Sequence, residues 1–325
     1  MALSPPSFED VLRARKVLER HLRPTPLHSY PALNAELGLD VRVKHENHQP
    51  IGAFKVRGGI YLMSRLSAAE RRRGVMTAST GNHGQSIAYA ARLFGVKAIV
   101  AVPEGANPSK VESMRALGAE VQFHGKDFDD AREHVEETCE RQGYRYIHSA
   151  NEPDLIAGVG TYALEILEEE PDLDVLLVPL GGGSGACGST IVARAVKPAL
   201  EVIAAQSEAA PAAHRSWKAG HLVEAEMKTF AEGIATRTAF ELTQRMIRDH
   251  LDDFVLVSDD EIRQAILLYL RTTRNLAEGA GAVALAAAKK LCARFEGRKI
   301  AVVLSGGNIS IEQLREVLER APSEA

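Results

Sequence analysis

The chain has 325 residues, of which 45% are hydrophobic and 25% are charged, and its formal net charge at pH 7 is −4. This length permits one large domain or two ordinary ones, and the composition is normal for a globular protein. The small net charge argues against nucleic acid and an anionic membrane as partners, and no apolar run reaches the roughly 20 residues that span a bilayer. Cys139, Cys187 and Cys292 are isolated, which argues against disulfide and zinc scaffolds and favours a reducing cytoplasm.

Strand-like and helix-like patterns alternate along the chain. The first predicted elements are an amphipathic helix over residues 8–22 and a strand over residues 41–44. Later strands are predicted at 74–78, 98–102, 120–123, 175–179, 202–206, 254–257 and 300–304, and helices at 84–94, 108–117 and 126–142. Short buried strands that alternate with helices indicate βαβ units. The pattern therefore predicts an α/β fold with two open, mostly parallel, twisted sheets and flanking helices.

The strand–helix units form two groups, at about residues 74–148 and 174–308. We predict a small domain, residues 74–148, inserted in a large domain made of residues 1–73 and 149–325. Open α/β sheets bind ligands at the carboxyl ends of their strands, and several polar or glycine-rich segments of this chain directly follow a predicted strand. The active site is expected in the cleft between the two domains.

Lys55 lies in the segment from His45 to Gly59, after a small-residue turn, where it is predicted to open a helix. Its amine could lie at the mouth of a cleft, although most lysines are solvated surface groups. Two glycine-rich segments further along the chain favour the first interpretation. A lysine that can form an imine, together with a glycine loop that can hold a phosphate, is the minimum equipment for pyridoxal phosphate chemistry.

The glycine loop follows the strand predicted at 175–179 and precedes a helix; its residues are Gly181, Gly182, Gly183, Ser184 and Gly185. Glycines in this position let backbone N–H groups turn toward an anion, and the helix dipole favours negative charge there. A tight turn without a ligand is the alternative. The dinucleotide spacing Gly-x-Gly-x-x-Gly also fits residues 183–188, but Glu201, near the place of the expected acidic residue, precedes a strand rather than ending one.

A second polar turn opens the helix predicted at 84–94 and contains Ser79, Thr80, Asn82 and His83. Its hydroxyl, amide and imidazole groups suit a carboxylate, and the alternative is an ordinary N-cap by Ser79 or Thr80. Ser305 follows the strand predicted at 300–304 and could place a neutral hydroxyl near a buried ring. A plain turn is an equally simple interpretation of that segment.

Together these segments resemble the fold-type II pyridoxal phosphate enzymes, in the group of serine/threonine dehydratases and serine racemases. The resemblance covers about residues 8–320 in family order, and it is the combination of segments that is specific. Further matching segments are Arg23–Leu27, Ile156–Thr161, Phe230–Ala235 and Glu278–Gly281. The resemblance implies a fold like that of the tryptophan synthase β subunit, with pyridoxal 5'-phosphate (PLP) as cofactor.

The resemblance also implies a role for each candidate residue. Lys55 would bind PLP covalently and move the α-proton of the substrate, and Thr80 would be the second acid/base group. The remaining cofactor contacts would be Phe54, Asn82, Gly181, Gly182, Gly183, Ser184, Gly185, Gly233 and Ser305. The substrate carboxylate would be received by Ser79, Thr80, Asn82 and His83.

The implied reaction is dehydration of a β-hydroxy L-amino acid, of the threonine/serine type or bulkier, to a 2-keto acid and ammonia. Ser305 at the ring nitrogen would make the cofactor a weaker electron sink than a carboxylate would, which favours β-elimination. Thr80, where racemases of the group have serine, also favours elimination. An amino acid racemase and a β-replacement enzyme are alternatives within the fold, and a non-catalytic nucleotide- or PLP-binding module is the alternative outside it.

Three further features bear on substrate, metal and assembly. The segment 45–59 resembles a subgroup that includes hydroxyectoine-utilisation and phenylserine dehydratases, and Ala150, in place of an asparagine of the racemases, leaves room for a larger side chain. Glu208 matches a metal-binding glutamate of the family, but His214 replaces the aspartate six residues later, so no metal is expected and Glu208 is a weak candidate ligand. The expected partners are an amino acid substrate and a second copy of the chain in a homodimer.

Overall fold

The computed structural model describes residues 3–320. Strands and helices alternate along this range, and none of its helices is long and apolar enough to cross a membrane. The strands are β1 (Leu27–Ser29), β2 (Asp40–His45), β3 (Val75–Ala78), β4 (Ala98–Val102), β5 (Glu120–Phe123), β6 (Arg145–Tyr146), β7 (Val175–Pro179), β8 (Glu201–Ser207), β9 (Asp253–Val257) and β10 (Lys299–Leu304). The α-helices are α1 (Phe8–Leu18), α2 (Pro31–Leu37), α3 (Lys55–Arg65), α4 (Ala68–Arg73), α5 (Asn82–Phe94), α6 (Pro108–Ala116), α7 (Phe128–Gln142), α8 (Pro153–Glu169), α9 (Ser184–Val196), α10 (Ala212–Ala219), α11 (Glu241–His250), α12 (Asp259–Thr273), α13 (Gly279–Lys290) and α14 (Ile311–Glu319).

Two sheets organise these strands, and both match the predicted architecture. The larger sheet has six strands in the order β1-β2-β10-β7-β8-β9, and the smaller has four in the order β5-β4-β3-β6. Among the described strands, only β1 pairs antiparallel, with β2. The prediction of two open, mostly parallel sheets with flanking helices is therefore confirmed.

The chain divides into two compact units. The first unit contains residues 3–23 and Lys55–Thr161, with the four-stranded sheet. The second contains Pro24–Phe54 and residues 162–320, with the six-stranded sheet. This division places α1, α3 and α4 with the four-stranded sheet. The predicted domain boundaries, at 73/74 and 148/149, lie elsewhere and stay a prediction.

Each unit has a core that follows from its apolar runs. In the first unit, Met76 and Ile99 of the sheet pack with Ala131 and Val135 of α7. In the second unit, α13 is buried on all sides from Gly279 to Ala288 and packs against the six-stranded sheet. Small side chains on α13 allow this helix to lie close to the strands that end at the candidate site.

The second unit also buries an ion pair. Lys44 on β2 is fully buried, and its Nζ donates to Oε2 of Glu165 on α8 at 2.6 Å and to the carbonyl oxygen of Thr25 at 2.7 Å. The hydroxyl of Thr25 donates to the buried carboxylate of Glu46 at 2.6 Å. The pairing satisfies charges that would be costly to bury alone.

Candidate active site

The glycine loop, Gly181–Gly185, connects β7 to α9 in the second unit. Gly183 is the N-cap of α9 and has φ +96° and ψ −7°, a left-handed conformation that side chains disfavour. A Cβ on Gly183 would lie 2.8 Å from Cβ of Thr243, and a Cβ on Gly181 would lie 2.7 Å from the carbonyl oxygen of Gly233. Both positions therefore require glycine in this packing.

The geometry of this loop fits a phosphate. The backbone N–H groups in the first turn of a helix have no partner within the helix, and the helix dipole favours an anion at that end. Thr243 fixes the loop from outside, because its hydroxyl donates to the carbonyl oxygen of Gly182 at 2.9 Å. The residues present can thus hold the phosphate of PLP.

Phe54, Gly233 and Ser305 lie in the same unit as the glycine loop. The backbone N–H of Phe54 donates to the carbonyl oxygen of Ser305 at 3.0 Å. This bond joins the segment that precedes α3 to the segment that follows β10. Ser305 is buried, and its hydroxyl makes a long hydrogen bond of 3.4 Å to the carbonyl oxygen of Ala280. A Cβ on Gly233 would lie 2.8 Å from Cβ of Ala280, so the backbone at Gly233 approaches α13 closely. The second unit thus brings these predicted cofactor contacts together.

Lys55 begins α3 in the first unit and directly follows Phe54 in the chain. Its carbonyl oxygen accepts a hydrogen bond of 2.6 Å from the hydroxyl of Ser86 on α5. A Cβ on Gly59 would lie 2.3 Å from the same hydroxyl, so α3 and α5 pack at backbone distance there. This packing fixes the backbone from which the Lys55 amine extends.

Ser79 precedes α5 and uses its hydroxyl in a cap-like arrangement. Its Oγ accepts hydrogen bonds from the N–H groups of Gly81, at 3.2 Å, and Gly84, at 3.0 Å. The N-cap of α5 is Gly81, without a side-chain cap hydrogen bond, so the predicted alternative of an N-cap by Ser79 or Thr80 is wrong, and the hydroxyl proton of Ser79 can still be donated. Thr80 is half-buried, and Asn82 is the first residue of α5.

His83 is buried on α5, and its hydrogen bonds fix its tautomer. The hydroxyl of Thr77 donates to the carbonyl oxygen of Ile147 at 2.8 Å, so it must accept from Nε2 of His83, 3.0 Å away. Nε2 then carries the proton, and Nδ1 is a buried lone pair with no hydrogen-bond partner among the described residues. Burial, followed by the charge of Lys55, lowers the pKa of His83 to about 3. The neutral ring cannot donate from Nδ1 to a carboxylate.

His148 is a second neutral imidazole in this unit. Its Nδ1 accepts hydrogen bonds from the N–H groups of Ala150, at 2.9 Å, and Asn151, at 3.0 Å. Burial is the main cause that lowers the pKa of His148 to about 4, with smaller contributions from the charges of Arg132 and Lys55. The charge of Lys55 acts on both imidazoles, and neither is protonated at neutral pH.

Glu208 directly follows β8 in the second unit. Its N–H donates to the carbonyl oxygen of Val257 at 2.9 Å, while the His214 ring packs edge-on against Phe254 with 5.3 Å between ring centroids. Within residues 3–320, no group of three or more His, Cys, Asp or Glu side chains is placed to hold a metal ion. The expectation that no metal is needed stays a prediction.

Three side chains that carried no predicted role lie against the glycine loop or beside the residue after Ser305. Thr243 holds the carbonyl of Gly182, as described above. Tyr162 donates to the carbonyl oxygen of Gly185 at 2.9 Å. Oε1 of Glu278 lies 2.3 Å from the place of a Cβ on Gly306, the residue after Ser305. Tyr162 and Glu278 border or lie in segments that carry the family resemblance, but Thr243 has no local signal.

The chain is similar to known proteins over most of its length. The family described as "Pyridoxal-phosphate dependent enzyme" matches residues 18–306. An L-threonine ammonia-lyase of Thermotoga maritima is 38% identical over 97% of this chain and 78% of the relative. An L-threo-3-hydroxyaspartate ammonia-lyase of a Pseudomonas species is 34% identical over 96% and 98%. The solved structure of maize serine racemase has a TM-score of 0.91 at 29% identity and covers 98% of both chains.

These similarities extend over nearly the whole chain, and they confirm the predicted resemblance to fold-type II enzymes and to the serine/threonine dehydratase group. The prediction of PLP as cofactor is confirmed at the level of the family. The chain belongs to the family of pyridoxal-phosphate-dependent enzymes.

Proposed function

We propose that this chain is a PLP-dependent ammonia-lyase that dehydrates a β-hydroxy L-amino acid, of the threonine/serine type or bulkier, to a 2-keto acid and ammonia. The observation that carries the proposal is the assembly, in one unit, of the glycine loop with Phe54, Gly233 and the buried hydroxyl of Ser305. Lys55 follows Phe54 in the chain. Similarity to threonine and hydroxyaspartate ammonia-lyases supports the reaction type.

PLP, when bound, supplies an electron sink for the negative charge that develops at the substrate α-carbon. The glycine loop would hold its phosphate and Lys55 would attach it. Phe54 and Gly233 would lie on either side of the ring, and Asn82 would hydrogen-bond the ring hydroxyl. Ser305 would meet the ring nitrogen, and a hydroxyl stabilises a proton there less well than a carboxylate would. This environment favours elimination.

Proton transfer falls to Lys55, whose Nζ would take the α-proton as general base. His83 and His148 have pKa values of about 3 and about 4, so neither is an imidazolium that could protonate the leaving hydroxyl at pH 7. That proton has to come from another group. The substrate carboxylate would be received by the hydroxyls of Ser79 and Thr80 and by the first turn of α5 at Asn82 and His83, where the backbone N–H of His83 is a donor and its Nδ1 is not.

The test of the assignment uses Lys55. Lys55→Ala should lose nearly all turnover and the visible absorbance of bound PLP, because an imine needs a primary amine. Lys97→Ala removes a half-exposed lysine of the same unit and should behave as the wild type. A screen of keto-acid release from serine, threonine, hydroxyaspartate and phenylserine identifies the substrate. PLP that borohydride still fixes to the Lys55→Ala protein would disprove the assignment.

Racemisation is the second candidate, because the chain also resembles a serine racemase over nearly its full length. A racemase needs an acid/base group on each face of the α-carbon, whereas elimination needs one and a leaving hydroxyl. The methyl group of Thr80 is expected to hinder proton delivery from the second face. Keto acid should therefore exceed D-isomer in the wild type, and Thr80→Ser should raise the share of D-isomer. Racemisation that dominates in the wild type would overturn the dehydratase assignment while PLP binding stands.

We propose that the active protein is a homodimer in the cytoplasm, with an amino acid as its small-molecule partner. The homodimer is expected from the family resemblance, and the cytoplasm from three unpaired cysteines, two of them buried. Light scattering at micromolar protein concentration measures the oligomeric state, and a monomer under assay conditions would disprove the homodimer.

A further inference from the structure

Tyr162 lies on α8 in the second unit, and its side chain is 1% exposed. Its phenol oxygen is 2.9 Å from the carbonyl oxygen of Gly185 and 2.9 Å from the hydroxyl oxygen of Ser189. A carbonyl can only accept, so the phenol proton is donated to Gly185. The hydroxyl of Ser189 then donates to the phenol oxygen. Both bonds have fixed directions and are buried.

The phenol also lies close to the backbone of the glycine loop. A Cβ on Gly185 would be 3.1 Å from the phenol oxygen and 3.8 Å from the Phe54 ring. The rings of Tyr162 and Phe54 pack edge to face, with 6.2 Å between centroids and an interplanar angle of 88°. The side chain of Tyr162 therefore contacts both Gly185, the last residue of the glycine loop, and Phe54, the residue before Lys55.

The bond to Gly185 acts on a peptide unit that faces the predicted phosphate. In a trans peptide the C=O and the following N–H lie in one plane and point in opposite directions. A phenol that holds the Gly185 oxygen therefore also aims the N–H of Ala186, the third residue of α9. That N–H is among those with no partner inside the helix. A hydrogen bond accepted by the carbonyl also polarises the peptide, which makes its N–H a better donor.

We propose that Tyr162 is a positioning residue. It fixes the glycine loop relative to Phe54 and thereby sets the affinity and geometry of PLP phosphate binding. This inference rests on the proposed function, since it assumes that the glycine loop takes the phosphate. None of the sequence motifs assigns a role to Tyr162, which directly follows the segment Ile156–Thr161.

The decisive variant is Tyr162→Phe, which keeps the ring against Phe54 and removes only the hydroxyl. We expect the dissociation constant of PLP to rise about 5- to 20-fold, the range typical for loss of one or two buried hydrogen bonds. The 31P resonance of bound PLP should also shift, because an N–H donor to the phosphate is reoriented. Ser189→Ala keeps the bond to Gly185 and should give a smaller rise of about 2- to 4-fold, since the phenol then loses one neighbour.

Tyr269→Phe is the matched control. Tyr269 is also fully buried in the second unit, but its hydroxyl has no hydrogen-bond partner among the described residues. Its removal should leave PLP affinity and the 31P resonance at wild-type values. PLP dissociation is measured by equilibrium dialysis of each full-length holoprotein, with circular dichroism to verify folding.

The outcomes are distinguishable. If the wild type binds PLP and Tyr162→Phe binds it with unchanged affinity and 31P resonance, Tyr162 has no positioning role and the inference is overturned. An equal loss in Tyr162→Phe and Tyr269→Phe would overturn it as well, because the effect would then belong to core packing. If the wild type itself binds no PLP, the proposed function fails and the inference fails with it.

Discussion

Replacing Gly183 with alanine should damage the glycine loop through two separable effects. The first is conformational, because φ is +96° and a side chain in the left-handed region costs about 1–2 kcal/mol. The second is steric, because the new Cβ would lie 2.8 Å from Cβ and 2.9 Å from Oγ1 of Thr243. Forcing one extra carbon into a packed site costs about 1–3 kcal/mol.

The sum for Gly183→Ala is about 2–5 kcal/mol in the free energy of unfolding. Part of it can appear in PLP affinity instead, because relief of the overlap would displace Thr243 and its bond to the carbonyl of Gly182. Urea unfolding of the cofactor-free protein and dialysis against PLP measure the two quantities. A fall in both is expected.

Gly220 supplies the control, because it has φ +77° and open space around the position of a Cβ. Gly220→Ala should therefore lower the free energy of unfolding by only the conformational cost of about 1–2 kcal/mol, and it should leave PLP affinity unchanged. The difference between the two variants measures the steric part. Equal stability losses and equal PLP affinities in both variants would refute the argument that the loop is held against Thr243.

Three further predictions concern charge, pH and metal. Lys44→Met should lower the free energy of unfolding by about 3–5 kcal/mol, since it removes the Lys44 ammonium from the buried carboxylate of Glu165, and urea unfolding should show a smaller loss when Glu165→Leu is added. Because His83 and His148 have folded pKa values of about 3 and about 4 against 6.5 for free histidine, the unfolded chain binds more protons below pH 6.5. The free energy of unfolding should therefore fall as pH falls from 6.5 toward 4, and a flat profile would contradict the buried neutral rings. EDTA should change turnover little, and a loss restored by magnesium or calcium would instead assign a metal to Glu208.

The sequence predicted the limits of several strands. Strands β4 and β7 have the predicted limits because each is a short, buried apolar run closed by turn residues, and the half-exposed β5 also has its predicted limits. Strands β1 and β6 were missed, since they have three and two residues and exist through pairing with β2 and β3. Helix α1 ends at Leu18 rather than at residue 22, where the chain leaves the helix in a turn from Leu18 to Leu22.

The candidate site was predictable where its chemistry is local. Glycines after a strand and a lysine at a helix start form local patterns that can be recognised in the sequence. The contacts of Thr243 and Tyr162 instead join residues that are distant along the chain. The acceptor character of His83 is also non-local, because it follows from the bond between Thr77 and the carbonyl of Ile147. Tertiary packing, which local patterns do not encode, decides these details.

The strand order of the six-stranded sheet has a consequence for biosynthesis. Strand β10, the last strand along the described chain, lies between β2 and β7, and Ser305 directly follows it. During translation, the edge of β2 that pairs with β10 stays unpaired until residues 299–304 have been made, some 250 residues later. The sheet therefore closes late in translation. The predicted contact between Ser305 and PLP can form only after this closure.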